Sequence, residues 1–349
     1  VEPSPDTPQF SNCVTQIVQQ PSSTETPYPL DLAIVMDTSS SMDTEVAPVT
    51  NGIKSYLEGL DPNVDTRVAL FNADNEVGKK GRMYSSGGIG PVLKLVPGAV
   101  TNRATGTYAT PTDLAADFLA LMLVETGKHS NTEFGLLSIY SALSNDYPSD
   151  LNILSQNQAL GFFRSDAALA VITVGDEMDI CARSDNGGNG NLQLSTQRSE
   201  VSLFPTYCYN ANSPQLPNIT PANVLQRVED AYVGRPFNIS GIHYLVAGQG
   251  GEVGGGYLTL ISSVGGSQID MAAESYTEAL NQVATDFNRA LEFTTEIQFA
   301  DPGIESTSIE VVINGIPSDG FTYDAPSQTL HLTDPGPPSA RLEITYCTK

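Results

Sequence analysis

The strongest pattern along the chain is a set of unbroken apolar runs, each closed by small or acidic residues. Residues 32–36, 66–72 (TRVALFN) and 168–174 (ALAVITV) are such runs. Apolar stretches of this length without polar alternation predict strands covered on both faces, as in the middle of a parallel sheet. Segments with helical spacing stand between them. Residues 46–60 set Val49, Ile53, Tyr56, Leu57 and Leu60 on one side and stop at Asp61-Pro62. Residues 111–124 have helical composition with Pro in the first turn. Residues 132–143 carry Phe134, Leu137, Ile139 and Leu143, and predict another helix. Residues 82–100 read as an edge hairpin built from short pieces. Further on, helices are expected at 221–232, 257–264 and 276–291, with strands at 237–247 and 268–271.

From Glu292 the apolar period becomes two. Short strands are expected at 295–299, 308–313, 321–323, 329–332 and 341–346, divided by turns such as Asn314-Gly315. Residues 13–19 (CVTQIVQ) alternate in the same way, so both chain ends are expected in one module. The predicted architecture is a doubly wound, mostly parallel, Rossmann-like α/β sheet inserted in a small all-β sandwich. Its parts are a flexible end at 1–9, a strand and linker at 10–29, the α/β domain at 30–291 and the β module at 292–349.

The 349-residue chain has a net charge of −24, which repels nucleic acid and anionic membrane surfaces and tolerates divalent cations. No apolar run approaches the ~20 residues of a membrane span. Cys13, Cys181, Cys208 and Cys347 have no CxxC spacing, which argues against a zinc cluster. Cys181 and Cys208 bracket a polar, Gly- and Asn-rich stretch, and the other two lie near the chain ends. Disulfides Cys181–Cys208 and Cys13–Cys347 are therefore expected over four buried thiols. They imply an exported protein, secreted or at the cell surface or periplasm, with a signal peptide removed.

The candidate chemistry sits at 31–42, DLAIVMDTSSSM, where a buried strand runs into one acid and several hydroxyls. Asp37, Ser39 and Ser41 lie at i, i+2 and i+4, so three oxygens can converge just past the carboxyl end of a strand. Hard cations take such ligands, and Mg²⁺ keeps several waters in a near-octahedral shell. Taken alone, a Ser- and Asp-rich loop also reads as a turn or a helix cap. Two later loops add to it. HSNTEFGLLSIYSAL (129–143) puts the hydroxyls of Ser130 and Thr132 ahead of a helix, and VITVGDEMD (171–179) ends a strand at Asp176.

Asp-x-Ser-x-Ser after an apolar strand, followed by those two loops in order, resembles the metal-ion-dependent adhesion site (MIDAS) of von Willebrand factor type A (vWA) domains. The sequence departs from the family pattern twice. Ser130 stands where Thr is usual, with Thr132 as second candidate, and Gly175-Asp176-Glu177 stands where Thr-Asp-Gly is usual. The resemblance implies Mg²⁺, with Mn²⁺ or Ca²⁺ as substitutes, held by Asp37, Ser39, Ser41, Ser130 or Thr132, and Asp176. It also implies an exchangeable coordination place for a carboxylate from a protein or glycan partner. His129, Glu177, Gly250 and Gly251 are candidates for the rim around it. The layout is similar to bacterial exported vWA adhesins, including the MIDAS adhesion-and-tip proteins of predatory species. There the β module would serve as base or link to a fibre or pilus-like stalk.

Two rival readings stand beside the adhesin. One is an exported structural vWA protein whose cation only ties loops together. The other is a Mg²⁺-dependent hydrolase, for which two-metal catalysis needs a denser carboxylate cluster than Asp37 and Asp176 supply. No enzyme is expected. His129, His243 and His331 nominate no Ser/His/Asp triad. The loop GQGGEVGGG (248–256) lacks the Gly-Lys-Ser/Thr of a P-loop.

Overall fold

The computed structural model describes residues 12–19, 29–74, 79–96, 98–125, 133–146, 152–181, 219–233, 235–246, 252–273, 275–290, 296–299, 303–332 and 340–348. They divide into two compact units, Pro29–Val233 with Phe237–Phe287, and a second unit drawn from both chain ends and Gly234–Pro236. Among the described residues no helix is long and apolar enough to cross a membrane.

The larger unit is organised by strands too apolar to face water on either side. β2 (Leu30–Met36) and β6 (Ala168–Val174) are buried at every position, and β3 (Thr66–Asn72) at all but Arg67. With β4 (Leu93–Leu95), β5 (Thr107–Tyr108), β7 (Phe237–His243) and β8 (Gln268–Asp270) they form a seven-stranded sheet in the order β5-β4-β3-β2-β6-β7-β8. All pairings are parallel except β3 with β4. The expected mostly parallel sheet is therefore present. The edge expected as a hairpin at 82–100 is instead one antiparallel strand, β4, with β5 added in parallel to its far side. The strand expected at 237–247 ends at His243.

Helices cover both faces. α1 (Val46–Glu58) buries Val49, Ile53, Tyr56 and Leu57 along one stripe and ends at Gly59. It packs beside α2 (Pro111–Glu125). α3 (Gly135–Ala142), α5 (Pro221–Ala231) and α6 (Tyr257–Ser263) lie over Ala33, Val35, Ala69, Phe71, Leu169 and Val171, the odd-facing side of the central strands. α5 starts as its sequence dictates, with Thr220 accepting from Asn223 N–H and Pro221 at the first helical position. α4 (Ile153–Ala159) was not legible in the sequence. Its seven residues bury only Ile153 and Asn157, and Asn157 Nδ2 donates to Gly81 O at 2.9 Å and Ala142 O at 3.2 Å. α7 (Thr277–Ala290) closes the unit's order of elements.

At the amino end of β2 a buried ion pair holds the strand. Arg164 donates through its backbone N–H and Nε to Asp31 at 2.7 and 2.9 Å and reaches Asp65 Oδ2 at 2.7 Å. Burial outweighs Arg164 and holds the Asp31 carboxyl above its usual range. Removing one partner of such a pair strands the other, so Arg164→Ala is expected to cost about 3–5 kcal/mol. Because this is the end of β2 opposite Asp37, cation binding should be unchanged in the same variant; urea unfolding and calorimetric titration check the two halves.

The second unit is a small sandwich. One sheet has the order β1-β14-β10-β11, from Asn12–Gln19, Arg341–Thr348, Glu310–Ile313 and Ile316–Ser318. The other is β12-β13-β9, from Phe321–Asp324, Thr329–Leu332 and Glu296–Gln298. Ile297, Phe299, Leu330 and Leu332 of one meet Val311, Leu342, Ile344 and Tyr346 of the other in a common core. Asn314-Gly315 makes the expected tight turn, both residues having positive φ (51° and 80°). β11 after it was not anticipated, since Ile316–Ser318 carries Pro317 and is mostly exposed. Cys13 and Cys347 are register partners and form the expected disulfide, closing a loop of sequence separation 334. Cys181 is also disulfide-bonded, and its expected partner Cys208 lies outside the described residues.

Candidate metal centre

The register of β2 on β6 runs from Leu30↔Ala168 to Met36↔Val174, so Asp37 and Gly175 leave the sheet side by side. Asp37 N–H donates to Val174 O at 2.8 Å and extends the ladder one step further. β3 lies on one side of β2 and β6 on the other, so the strand order reverses between them. Open α/β sheets hold ligands in the crevice at such a reversal.

After Asp37 the chain folds back on its own carboxylate. Ser39 N–H donates to Asp37 Oδ1 at 2.7 Å, and a 3-10 turn follows at Ser40–Thr44. The hydroxyls of Ser39 and Ser41 lie 2.6 Å apart, and Ser41 Oγ donates to Asp176 Oδ1 at 3.3 Å. Four of the residues expected from sequence, Asp37, Ser39, Ser41 and Asp176, therefore gather in one cluster. Asp37, Ser39 and Asp176 are buried, while Ser41 is exposed. Glu177, expected on the rim, is half-buried on the turn after Asp176. Ser130, Thr132, His129, Gly250 and Gly251 lie outside the described residues.

Burial, and then the negative charge of Asp37, push the Asp176 carboxyl up from 3.8 to about 7; the Ser41 hydrogen bond opposes them, and Glu45 adds a smaller push. Two acids forced together in a desolvated crevice destabilise each other until a cation or a proton arrives. The donors are all hard oxygens, which suits Mg²⁺, Mn²⁺ or Ca²⁺ and not a thiophilic metal. Among the described residues no three His, Cys, Asp or Glu side chains form a metal-binding group, so the set is two acids supplemented by hydroxyls. Asp37, Ser39, Ser41 and Asp176 would hold the ion.

Several residues that sequence reasoning passed over brace this cluster. The third helix begins at Gly135, not at 132 as expected, because partners far along the chain define its start. Asp179 Oδ2 accepts from Leu136 N–H at 2.8 Å while its Oδ1 accepts from Cys181 N–H at 2.8 Å. The Tyr257 hydroxyl accepts from Gly135 N–H at 3.0 Å. A carboxylate placed there also meets the positive end of the helix dipole. On the other side, Glu252 N–H donates to Asp176 O at 2.9 Å and the Tyr244 hydroxyl donates to Glu45 Oε1 at 2.8 Å. His243, at the end of β7, stacks on Tyr257 with ring centroids 4.4 Å apart. The available signal for it was a lone histidine at the carboxyl end of an apolar strand, which by itself names no role.

No protein-family model matches the chain, and no curated protein matches it. Among solved structures it is similar to a von Willebrand factor type A protein from Catenulispora acidiphila, with 12% identity over 98% of this chain and 66% of that one and a TM-score of 0.36. It is similar to the pilus adhesin SpaC from Lactobacillus rhamnosus GG, with 14% identity over 96% and 43% and a TM-score of 0.38. It is also similar to proximal thread matrix protein 1 from the mussel byssus with a zinc-occupied MIDAS motif, with 13% identity over 79% and 48% and a TM-score of 0.36. The chain thus spans less than two thirds of the length of each of these three structures.

Proposed function

We propose that this chain is an extracellular, non-enzymatic binding protein of the vWA type. Its α/β unit binds Mg²⁺ through Asp37, Ser39, Ser41 and Asp176, with Ser130 or Thr132 completing the set, and captures an acidic group of a protein or glycan partner there. The observation that carries the reading is the convergence of Asp37 and Asp176, 139 positions apart by their numbering, past the carboxyl ends of two adjacent central strands with two hydroxyls beside them. Because the Ser39 and Ser41 hydroxyls are neutral and the two acids act partly through water, a bound dication keeps its attraction for an anion, and a bound water is exchangeable for a partner's carboxylate. The disulfide between β1 and β14 supports an oxidising location, secreted or at the surface. The β unit serves as base or stalk link.

The test is retention of the full chain on cell-surface fractions in Mg²⁺, in EDTA, and as Asp37→Ala. Capture in Mg²⁺ that both EDTA and the substitution abolish supports the reading. Capture indifferent to EDTA sinks it, and calorimetric Mg²⁺ binding with no captured partner leaves a cation that only ties loops.

A further inference from the structure

His243 is wholly buried one strand over from Asp176, and both ring nitrogens have partners. Nδ1 lies 2.9 Å from Gly175 O, an atom that can only accept, so Nδ1 carries the proton. Nε2 is then the acceptor and faces Thr173 Oγ1 at 2.8 Å, well inside the 3.4 Å from that hydroxyl to Ser240 O. Burial keeps the ring neutral, with its pKa pushed down to about 3. The ring has no room to turn. Tyr257 stacks on it at an interplanar angle of 11°. A Cβ on Gly254 would come within 2.6 Å of the His243 Cβ, and one on Gly241 within 2.9 Å of Cδ2.

The carbonyl held by His243 belongs to the peptide group joining Gly175 to Asp176. The preceding N–H, of Gly175, donates to Ile242 O at 3.2 Å, and the following carbonyl, of Asp176, accepts from Glu252 N–H at 2.9 Å. Every peptide group around the Asp176 Cα is therefore anchored before its side chain begins. Gly175 itself is packed between the two functional side chains: a Cβ there would lie 3.4 Å from the Asp37 Cβ and 3.8 Å from His243 Cε1.

We propose that His243 is the positioning residue of the cation site, its Nδ1–H holding the Gly175 carbonyl so that the Asp176 carboxylate is aimed at Asp37, Ser39 and Ser41. The proposal rests on the cation-binding reading above. Mutual repulsion would swing a carboxylate on an unanchored turn away from Asp37, and the ion would then meet a single acid. Holding the turn by a neutral donor achieves convergence without adding a positive charge that would compete with the cation.

Three variants of the full chain separate this role from packing. His243→Asn keeps an N–H near the place of Nδ1, His243→Gln carries its amide to the place of Nε2, and His243→Leu keeps bulk alone. Mn²⁺ affinity is read by calorimetry, and the wild-type tautomer by long-range ¹H–¹⁵N correlation in the metal-free protein. The expected result is a proton on Nδ1, a loss of about 10–100-fold in Mn²⁺ affinity for Leu and Gln, and Asn within about threefold of wild type. If His243→Leu fails to fold, the Asn and Gln pair carries the same contrast. Equal affinity in all variants, an equal loss in Asn and Gln, or a proton on Nε2 overturns the proposal while leaving wild-type Mn²⁺ binding intact. A wild-type chain that binds no Mn²⁺ overturns this proposal and the cation-binding reading together.

Discussion

Asp37→Asn is expected to abolish Mg²⁺ binding and at the same time to stabilise the metal-free protein. The two effects have one cause. Asp37 and Asp176 face each other in a buried crevice, and the charge of the first is among the forces that push the second up to about 7. The amide keeps an oxygen to accept the Ser39 N–H, which Asp37 Oδ1 takes at 2.7 Å, so the turn is preserved. What disappears is one negative charge. For the proposed cation this is the loss of one of its two acids, expected to lower affinity by at least the roughly 100-fold upper range for loss of an outer partner. For the empty crevice it is relief of like-charge repulsion, so the Asp176 carboxyl should come down from about 7 by the share that Asp37 contributes, while burial, the larger cause, still holds it up. Calorimetric titration with Mg²⁺ and thermal unfolding in EDTA at pH 8 measure the two halves. A variant that is less stable without metal, or that still binds Mg²⁺, would show that the acids do not share a cation.

The second large effect is in pH. In the metal-free protein the Asp176 carboxyl is raised from 3.8 to about 7, so the folded chain holds that proton more tightly than the unfolded one. The sign follows from linkage. The cost is absent below about pH 4, grows as pH rises through the window from about 4 to 7, and is complete above it, reaching at most about 4 kcal/mol. His243 works in the opposite direction. Its pKa is depressed from 6.5 to about 3, so its cost appears only as pH falls below 6.5. Because the two oppose each other between about pH 4 and 6.5, the wild-type curve alone is uninformative, and the difference between wild type and Asp176→Asn isolates the carboxyl. Urea unfolding in EDTA from pH 4.5 to 8.5 should show the wild type losing stability relative to the variant as pH rises, then levelling above 7. Mg²⁺ must displace the same proton, so its affinity should fall about tenfold per pH unit below 7. A flat difference curve would mean that Asp176 titrates as an ordinary exposed acid.

How much of this could be read from residue order divides along physical lines. β2, β3 and β6 were legible because a strand buried on both faces has nowhere to place a polar side chain, so its burial is written as an unbroken apolar run. Asp37, Ser39 and Ser41 were legible because a turn that converges three oxygens is local. Cys13 with Cys347 was legible from position at the two ends of one β module. α4 and β5 were not, and β4 was legible only as a piece of the expected edge hairpin, since elements of two to seven residues carry too few apolar positions to establish a period.

The supports of the centre were silent for a different reason. Asp179 acts on Leu136, 43 positions away, and Thr173 acts on His243, 70 positions away. The sequence by itself determined that this chain has a wound apolar sheet, a loop of oxygen donors at its heart and a cross-linked β module. The pairing of Asp176 with Asp37 was expected from the order of the three loops, whereas tertiary structure alone decided that α3 starts at Gly135 and that a neutral imidazole holds the peptide group ahead of Asp176. Hydrophobic burial and turn chemistry depend on near neighbours and so are encoded within a dozen residues. A hydrogen bond or a repulsion between side chains acts through space, and exists only once strand register has brought distant atoms within a few ångströms.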